Sequence, residues 1–520
     1  MADLLLTNGK IFTAWDDKPW VSEVAVKGGR FLLVGDEAIE HKGPKTEVID
    51  LKGKTVIPGL TDSHNHLIYY GKLALLWSDL GGCRSIAEIC DRLRAHAFPS
   101  ALEGGGECRP AEWILGAGFD QEILAERRFP TREDLDQVSR DQPVLISRLC
   151  GHACVVNSRA IELAGPERLP ERGRQTGLLT ENDMNPVWER IPDPSFEQLV
   201  EAASFAANKA RSTGIAAVHC LINSMDELNA LRHLHASGKL PVRLYVQAAY
   251  GMFPQLAEEG LRTGSGDDML RIGSVKMFAD GSMGASTAAL TEDYADDPGN
   301  RGMLLHSDEE LAEMVRKVHR AGWQAAIHAI GDRAVAQAVD AIETALAETG
   351  EDNFTRRHRI EHASILSEEV AERMARLKIL AAVQPQFIIT DFWTISRVGP
   401  ERCRWAYPFR TLMKAGVPLS FGSDCPVERL DAFELICRAV TRDEHSPDEC
   451  LSVEDAIRLY ALGGAHAAFE EGNRGSIQPG KLADIVVLDR DIFDIPAAEL
   501  TDCKVELVLV DGCMTRNSSN

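Results

Sequence analysis

Short apolar runs alternate with turn residues along the first 58 residues of the chain. The runs are ADLLLTNGKIFT, VSEVAVKGGRFLLVGDE and TEVIDLKGKTVIPG, and turn residues bound them as they bound β-strands. The last segment, from about Gly475, repeats the pattern with GSIQPGKLADIVVLD and VELVLVDGCMTR. Because strands that bury one face need a partner, we predict a small composite β-sandwich domain formed by residues 1–58 and 473–520.

Between these ends, short apolar strands alternate with amphipathic helices such as SDEELAEMVRKVHRAG. This alternation is typical of βαβ units and a parallel sheet, and eight such units close into a TIM barrel. The sequence therefore predicts an α/β fold with a (β/α)8 TIM barrel over residues 59–472. The candidate strands are 55–62, 214–220, 242–249, 271–278, 323–328, 357–362, 379–384 and 418–423.

The connection between the first two candidate strands is unusually long, at about residues 75–205. It contains the strand-like runs WILGAGFD and PVLISRLCGH. Because a structureless connection of that length is rare in a compact domain, we predict an inserted segment after strand 1.

Composition indicates a globular protein with 44% hydrophobic and 26% charged residues among 520. No apolar run reaches the ~18 residues that span a bilayer, and the N-terminal MADLLLTNGKIF lacks a secretory leader pattern, so we expect a cytoplasmic protein. A formal charge of −23 disfavours nucleic-acid binding, which depends on clustered Lys and Arg. We expect a small-molecule amide substrate as the partner, and the class of fold suggests a homodimer.

Two histidines follow a strand in the segment IPGLTDSHNHL. Positions i and i+2 of a strand project to the same face, so His64 and His66 can point at one metal ion. His233 and His235 have the same spacing but lie in the helical pattern DELNALRHLHASGKL, where i and i+2 diverge. We expect that second pair on the surface.

Further candidate ligands fall at the ends of other predicted strands. They are Lys276 in strand four, His328 in strand five, His362 in strand six and Asp424 after strand eight. Because catalytic groups of TIM barrels gather at the carboxyl ends of the strands, these side chains should meet at one mouth. For Lys276 alone, the alternative is a surface ion pair.

This set of residues resembles the binuclear branch of the amidohydrolase superfamily over nearly the whole chain. The segments KMFADGSMGASTAAL, GHACVVNSRAI, HAIGDRAV and GKLADIVVLD are similar to the YtcJ-like group of amidohydrolase family 3, which includes N-substituted formamide deformylase. The resemblance implies that Lys276 is carboxylated by carbon dioxide to a carbamate that bridges two divalent metals. A carbamate is an anionic two-oxygen ligand, whereas an ammonium group would be repelled by the cations.

In that arrangement, His64 and His66 would hold the more buried metal together with Asp424, and His328 and His362 would hold the other. Two metals ~3.5 to 4 Å apart lower the pKa of a bridging water toward 7 and polarise a carbonyl. Asp424 can then take the proton of the nucleophile and pass it to the leaving nitrogen. Zinc is expected by prevalence, although manganese, cobalt, nickel or iron also tolerate this ligand set.

Several other residues are candidates for supporting roles. His152 either orients the substrate from the inserted segment or is a packed histidine. Asp280 and Asp332 either orient ligands or cap helices, and a third metal contact at His219 is left open. Aromatic residues that could line an apolar pocket are Tyr69, Tyr70, Phe387, Phe392 and Trp393.

We expect a hydrolase acting on a carbon–nitrogen bond other than a peptide bond, with an N-acyl or N-formyl amide as substrate. One alternative is a mononuclear deaminase or cyclic-amide hydrolase on the same barrel, in which Lys276 would be free. A second is a barrel that retains its metals as a regulatory protein. The sequence has no Gly-x-Ser-x-Gly elbow and no phosphate loop. Serine hydrolases and nucleotide-hydrolysing enzymes are therefore set aside, because their signature motifs are missing.

Overall fold

A computed structural model describes residues 1–97, 113–442 and 446–516 of the chain. The chain folds as two compact units, one formed by Met1–Leu67 with Ser204–Asn520 and the other by Ile68–Ala203. No helix within the described residues is long and apolar enough to cross a membrane. The domain boundaries given above remain predictions.

The first unit contains an eight-stranded parallel sheet whose neighbours follow one another in chain order. Its strands are buried along almost their whole length, as expected of parallel strands that are covered on both faces. This sheet confirms the predicted TIM barrel. The strands are Leu60–Asn65, Ile215–Ile222, Arg243–Ala249, Leu270–Phe278, Gln324–Ala329, Arg359–His362, Leu380–Val383 and Leu419–Phe421.

Helices follow the barrel strands, and local sequence explains where they begin. The predicted helix SDEELAEMVRKVHRAG is Asp308–Arg320, with Ser307 and Glu310 forming a capping box at its start. The pair His233 and His235 lies on helix Met225–Ala236, with His233 exposed, as expected. Other helices of this unit are Phe253–Glu258, Asp332–Thr349, Asn353–Arg356, Glu368–Leu377, Phe387–Thr390, Thr394–Cys403, Phe409–Ala415, Ala432–Thr441, Val453–Arg458 and Gly464–Ala467.

The predicted first barrel strand, 55–62, is wrong: it covers parts of two strands in different sheets. Thr55–Pro58 pairs with strands from both chain ends, whereas Leu60–Asn65 pairs with barrel strand Ile215–Ile222. The chain changes sheet at Gly59, where an added Cβ would lie 2.6 Å from the Ala216 Cβ and 2.9 Å from the Asp484 Cβ. The buried apolar pattern continues across this point, so hydropathy alone does not mark the change.

This unit has two further sheets, as the predicted β-sandwich requires: a four-stranded sheet of N-terminal strands and a six-stranded sheet that joins strands from both chain ends. One contains Leu4–Thr7, Val24–Lys27, Arg30–Val34 and Glu47–Asp50, and the other contains Lys10–Phe12, Trp20–Val21, Thr55–Pro58, Ile485–Leu488, Val505–Val510 and Cys513–Arg516. Residues of both sheets share one apolar core, which includes Leu6, Val26, Ile485 and Leu507. The first unit therefore holds the barrel and a sandwich made from the two chain ends.

The second unit contains a sheet of its own, as predicted for the inserted segment. Its strands are Ser78–Asp79, Ile114–Phe119, Val144–Arg148, Ala153–Val156 and Leu178–Thr180. Its helices are Ile86–Ala97, Arg132–Asp136, Ser158–Ala164, Glu171–Thr176 and Asn185–Trp188. Helices Leu67–Leu76 and Phe196–Ser212 include the residues at which the chain passes between the units.

The ends of the first and last barrel strands are joined by hydrogen bonds that involve both backbone and side chains. The backbone N–H of Asp424 donates to the His64 carbonyl at 2.8 Å, and that of His66 donates to the Cys425 carbonyl at 2.9 Å. The buried Asp62 carboxylate accepts from the backbone N–H and the hydroxyl of Ser423, at 2.9 and 2.6 Å. The residues that follow strand 1 and strand 8 are thereby fixed beside each other.

Gly59→Ala tests the close approach at the change of sheet. We expect the free energy of unfolding to fall by about 1–3 kcal/mol, because the new methyl group overpacks a site with little room to move. Urea denaturation of the two proteins measures this. Gly472→Ala is the matched control, since a Cβ there would meet nothing within 4 Å, and equal stabilities of the two variants would contradict the explanation.

Candidate metal centre

The predicted ligands lie at the carboxyl end of the barrel, where strand direction places them. His64 lies within the first barrel strand and His66 just beyond it, and His362 is the last residue of the sixth. Lys276 and His328 lie near the ends of the fourth and fifth strands. Asp424 follows the eighth strand in a left-handed conformation, with φ 58°, which turns it back toward the first strand.

Three of these residues offer ligand atoms that all lie within 4.8 Å of one another: His64, His362 and Asp424. The Asp424 Oδ1 lies 3.2 Å from the His64 Nε2 and 3.1 Å from the His66 Nε2. This oxygen is buried and makes no hydrogen bond within the described residues. A buried carboxylate oxygen that faces two imidazole nitrogens is a fitting position for a cation.

His328 lies beside this group, although its own contacts differ. Its ring is 4.5 Å from that of His362, and the His362 ring is 4.9 Å from that of His64. The His328 Nε2 lies 3.0 Å from the Gly281 carbonyl and 3.5 Å from the Asp280 carboxylate. The imidazoles thus form a row, with His328 at one end.

Burial sets the charge state of the candidate ligands. It lowers the pKa of His66, and it lowers the pKa of His362 to about 3. Neutral imidazoles keep the lone pair that a metal requires. The pKa of His64 is raised instead: burial and the Lys276 charge lower it, but the carboxylates of Glu361 and Asp424 more than offset them. The surroundings of His64 therefore favour a positive charge at this position.

Lys276 is buried, which excludes the alternative of a surface ion pair. Its Nζ lies 3.4 Å from the His64 Nε2, and within the part of the chain that the structure describes it forms no ion pair. Burial lowers the pKa of Lys276 to about 8. An amine that loses its proton this easily can react with carbon dioxide.

Glu361 and Arg359 are functional candidates that the sequence analysis missed. Glu361 has no exposed surface; its carboxylate contacts the His64 Nδ1 and forms an ion pair with Arg359. Arg359 also donates to the Ser63 carbonyl at 2.6 Å. Arg359 and Glu361 lie two positions apart on a short strand that is buried throughout. Charged residues are rarely buried without a partner, so two of them in a buried strand are a sequence signal for a functional site.

Gln384 was also missed, and it holds the next histidine in the row. Its Oε1 lies 2.8 Å from the His362 Nδ1, and Phe387 stacks on the same ring with centroids 6.0 Å apart. Partners on Nδ1 leave Nε2 of His64 and of His362 as the ligand atoms, as is usual for histidine ligands.

The predicted supporting aspartates hold loops. Asp280 accepts hydrogen bonds from the backbone N–H groups of Ala289, Ile330 and Gly331, at 2.9 to 3.0 Å, so it fixes the segments after strands four and five. Asp332 is the first residue of helix Asp332–Thr349 and accepts from the Thr291 N–H at 2.9 Å. Asp280 therefore lies next to a candidate ligand, His328, and Asp332 secures a loop.

Other predicted residues lie in different surroundings. His219 has its Nδ1 2.9 Å from an Arg359 guanidinium nitrogen and therefore belongs to the buried charge network. His152 lies in the second unit, where its Nδ1 is 3.0 Å from the Glu181 carboxylate, and its role toward substrate remains a prediction. Of the aromatic candidates, Tyr69 and Tyr70 lie in the second unit. Phe387 contacts His362, and Trp393 packs against Arg397. Phe392 is 57% exposed.

Comparison with known proteins gives consistent similarities across the chain. Residues 47–515 match the amidohydrolase family. The Bacillus subtilis protein YtcJ, named as an amidohydrolase, is 32% identical over 97% of this chain and 97% of its own. N-substituted formamide deformylase of Arthrobacter pascens is 28% identical over 99% of this chain and 98% of its own. A metal-dependent hydrolase of Pyrococcus horikoshii has a similar crystal structure, with a TM-score of 0.78, 33% identity, and coverage of 95% of this chain and 99% of that chain.

Arg359→Met tests the buried ion pair beneath His64. We expect a loss of about 3–5 kcal/mol in the free energy of unfolding of metal-free protein, because Glu361 would be left as an unpaired buried charge. Urea denaturation measures the loss. Arg316→Met removes a guanidinium that pairs with Glu313 and Glu348 on the surface, and we expect it to change stability little. If the free energy of unfolding falls equally little in both variants, Arg359 is not needed to stabilise the buried charge of Glu361.

Proposed function

Because this chain belongs to the amidohydrolase family, we propose that it is a metal-dependent hydrolase of a carbon–nitrogen bond other than a peptide bond. The observation that carries the proposal is the convergence of His64, His362 and Asp424 from three different strands on one buried point. Burying these three polar groups together costs free energy, because each must be desolvated. A bound metal ion would compensate this cost.

The residues present fit a pair of divalent cations. His64, His66 and Asp424 would hold one ion and His328 and His362 the other, with zinc suited to this mixture of imidazole and oxygen ligands. When bound, such ions would lower the pKa of a water molecule and polarise the scissile carbonyl. Glu361 orients His64, because its contact with Nδ1 fixes which nitrogen faces the metal.

Lys276 completes the proposed ligand set as a carbamate. Its burial, its distance of 3.4 Å from the His64 Nε2 and its lowered pKa support a lysine that is deprotonated and then carboxylated. The new carboxylate would supply one oxygen to each ion and would offset the positive charge that the ions bring to a buried site.

Asp424 is the proposed proton carrier. Its Oδ1 faces His64 and His66, so the other carboxylate oxygen is the one that we propose to carry the proton. It takes the proton that the attacking water loses and delivers it to the amide nitrogen as the carbon–nitrogen bond breaks. The amide is thereby converted into a carboxylic acid and a free amine.

The relative from Arthrobacter pascens supports an N-substituted formamide as the substrate class. That protein is named as a deformylase of such compounds and aligns over nearly all of both chains. We propose an N-formyl or N-acyl amide with a moderately hydrophobic substituent. Formamide hydrolysis gives formate and the amine as products.

Metal analysis tests the binuclear centre. We expect two ions per chain in protein loaded with zinc and carbon dioxide, and about one in Lys276→Ala, because the variant lacks the bridging ligand. Inductively coupled plasma mass spectrometry measures the ratio. Lys317→Ala is the matched control, since Lys317 is 58% exposed on a surface helix. One ion per chain in wild-type protein would favour the mononuclear deaminase instead.

An activity screen tests the reaction. Zinc-loaded protein should release formate from N-substituted formamides, and Asp424→Asn should lower kcat by about 100-fold or more, the size of a lost general acid and base. Formate release is followed with formate dehydrogenase. Asp431→Asn, at a helix cap, controls for loss of an acid nearby in the chain. Metal-loaded protein that leaves formamides, other amides, lactones and esters untouched would contradict the proposed function.

A further inference from the structure

A second group of polar side chains lies close to the metal centre, on the loops after the seventh and eighth barrel strands. After Asp424 the chain makes a turn closed by the Val427 N–H and the Asp424 carbonyl at 2.9 Å. Glu428 follows this turn directly and is buried, with 8% of its surface exposed. The Asp424 charge acts on the Glu428 carboxyl group, so the two acids lie near each other.

The neighbouring segment, residues 384–390, which ends in the short helix Phe387–Thr390, connects this acid to the candidate ligands. At its start, Gln384 holds His362, and Phe387 stacks on the same ring. At its end, the Thr390 hydroxyl donates to the Glu428 carboxylate. Between them, the Gln386 Nε2 donates to the carbonyl of Arg429, the residue after Glu428, at 3.0 Å. One short segment therefore carries both the partner of a metal-site histidine and residues that bond to Glu428 and to its neighbour Arg429.

The group includes one buried hydrogen-bond acceptor that has no donor within the described residues. The Gln386 side chain is 2% exposed, and its Oε1 has no hydrogen-bond partner within the described residues. Because its Nε2 is fixed by the Arg429 carbonyl, the amide cannot be turned to exchange the two atoms without losing that bond. An acceptor that is buried without a donor costs free energy, and the loss is offset if a ligand supplies the N–H.

Glu428 likewise has no cationic partner among the residues that the structure describes. Among residues 113–442 and 446–516, no Lys or Arg forms an ion pair with it. Burial, together with the charges of Asp391, Glu434 and Asp424, raises the pKa of Glu428 to about 8, and the hydrogen bond from the Thr390 hydroxyl partly opposes this rise. The buried acids with structural roles differ: Glu361 is paired with Arg359, and Asp62 accepts hydrogen bonds from Ser423 and Asn65.

We propose that Glu428 and Gln386 form a subsite that binds a cationic N–H donor of the substrate, an ammonium or guanidinium group, beside the metal centre. The proposal rests on the proposed function, since the ligand is the remote part of the amide that is hydrolysed. A guanidinium or ammonium group supplies the missing donor to the Gln386 Oε1 and a further donor to Glu428, and its charge stabilises the deprotonated form of this buried acid. Thr390, whose hydroxyl donates to Glu428, is exposed.

Binding of two matched probes tests the subsite without catalysis. Benzylguanidinium stays charged and has no lone pair to offer a metal, and benzylurea is its neutral isostere. We expect zinc-loaded protein to bind benzylguanidinium about tenfold or more tightly than benzylurea, the factor that one charge-assisted hydrogen bond supplies. Isothermal titration calorimetry gives both dissociation constants.

Two variants and one control assign the preference to residues. Glu428→Gln keeps the shape of the side chain and should abolish the preference, and Gln386→Met should reduce it about threefold, as for a neutral acceptor. Glu434→Gln removes a neighbouring acid that already pairs with Arg438 and should leave the preference intact. Equal binding of the two probes by wild type, or a preference that survives in both Glu428→Gln and Gln386→Met, would overturn the proposal.

Hydrolysis of two formamides separates failure of the subsite from failure of the proposed function. N-formylhexylamine tests the reaction alone, and N-formyl-1,5-diaminopentane has a similar length with an ammonium end. We expect a kcat/KM about tenfold higher for the charged substrate and equal values in Glu428→Gln. Equal values in wild type would overturn the subsite and leave the hydrolase proposal standing, whereas guanidinium binding without any hydrolysis would overturn the hydrolase proposal alone.

Discussion

Glu361 is an anion with no exposed surface, and the ion pair it forms with Arg359 is the interaction on which the candidate metal centre depends. Desolvation of either charge alone is expensive, so each is stable in the barrel only with the other present. Within this pair, a Glu361 carboxylate oxygen contacts the His64 Nδ1. A guanidinium nitrogen of Arg359 donates to the carbonyl of Ser63, the residue before His64. Both the ring and the backbone of the first ligand are thus positioned from strand six. The pKa of Glu361 is held well below its usual range, because Arg359 and His64 outweigh the effect of burial.

The barrel brings groups together that are hundreds of residues apart, and the contact between its first and last strands sets the geometry most directly. Asp424 faces His64 and His66 because backbone hydrogen bonds join the segments after strands one and eight. Asp62 adds side-chain bonds to the same junction and uses its buried charge for structure. Glu428, four residues beyond Asp424, has no equivalent set of donors. Asp62 and Glu428 are therefore both buried acids near the mouth of the barrel, but among the described residues only Asp62 has a full set of hydrogen-bond donors.

Strand periodicity and the positions of strand-end residues were sufficient to predict the barrel, the pairing of the chain ends and the candidate ligands. Each rests on short-range patterns: the spacing of His64 and His66, or an apolar run that ends at His328. The break at Gly59 could not be predicted in this way, because it depends on how closely Ala216 and Asp484 approach, which is a long-range contact. Glu361 and Gln384 were missed for a similar reason. Their roles come from the rings they touch, and no spacing rule links residue 361 to residue 64.

The six-stranded sheet joins the two ends of the chain, and this has a consequence for biosynthesis. Strand Thr55–Pro58 is flanked by Lys10–Phe12 on one side and by Ile485–Leu488 on the other. While the polypeptide emerges from the ribosome, one edge of Thr55–Pro58 stays unpaired until Ile485–Leu488 has been translated. An open edge of this kind is prone to pairing with other nascent chains, so premature termination before residue 485 would expose an aggregation-prone strand at the opposite end of the protein.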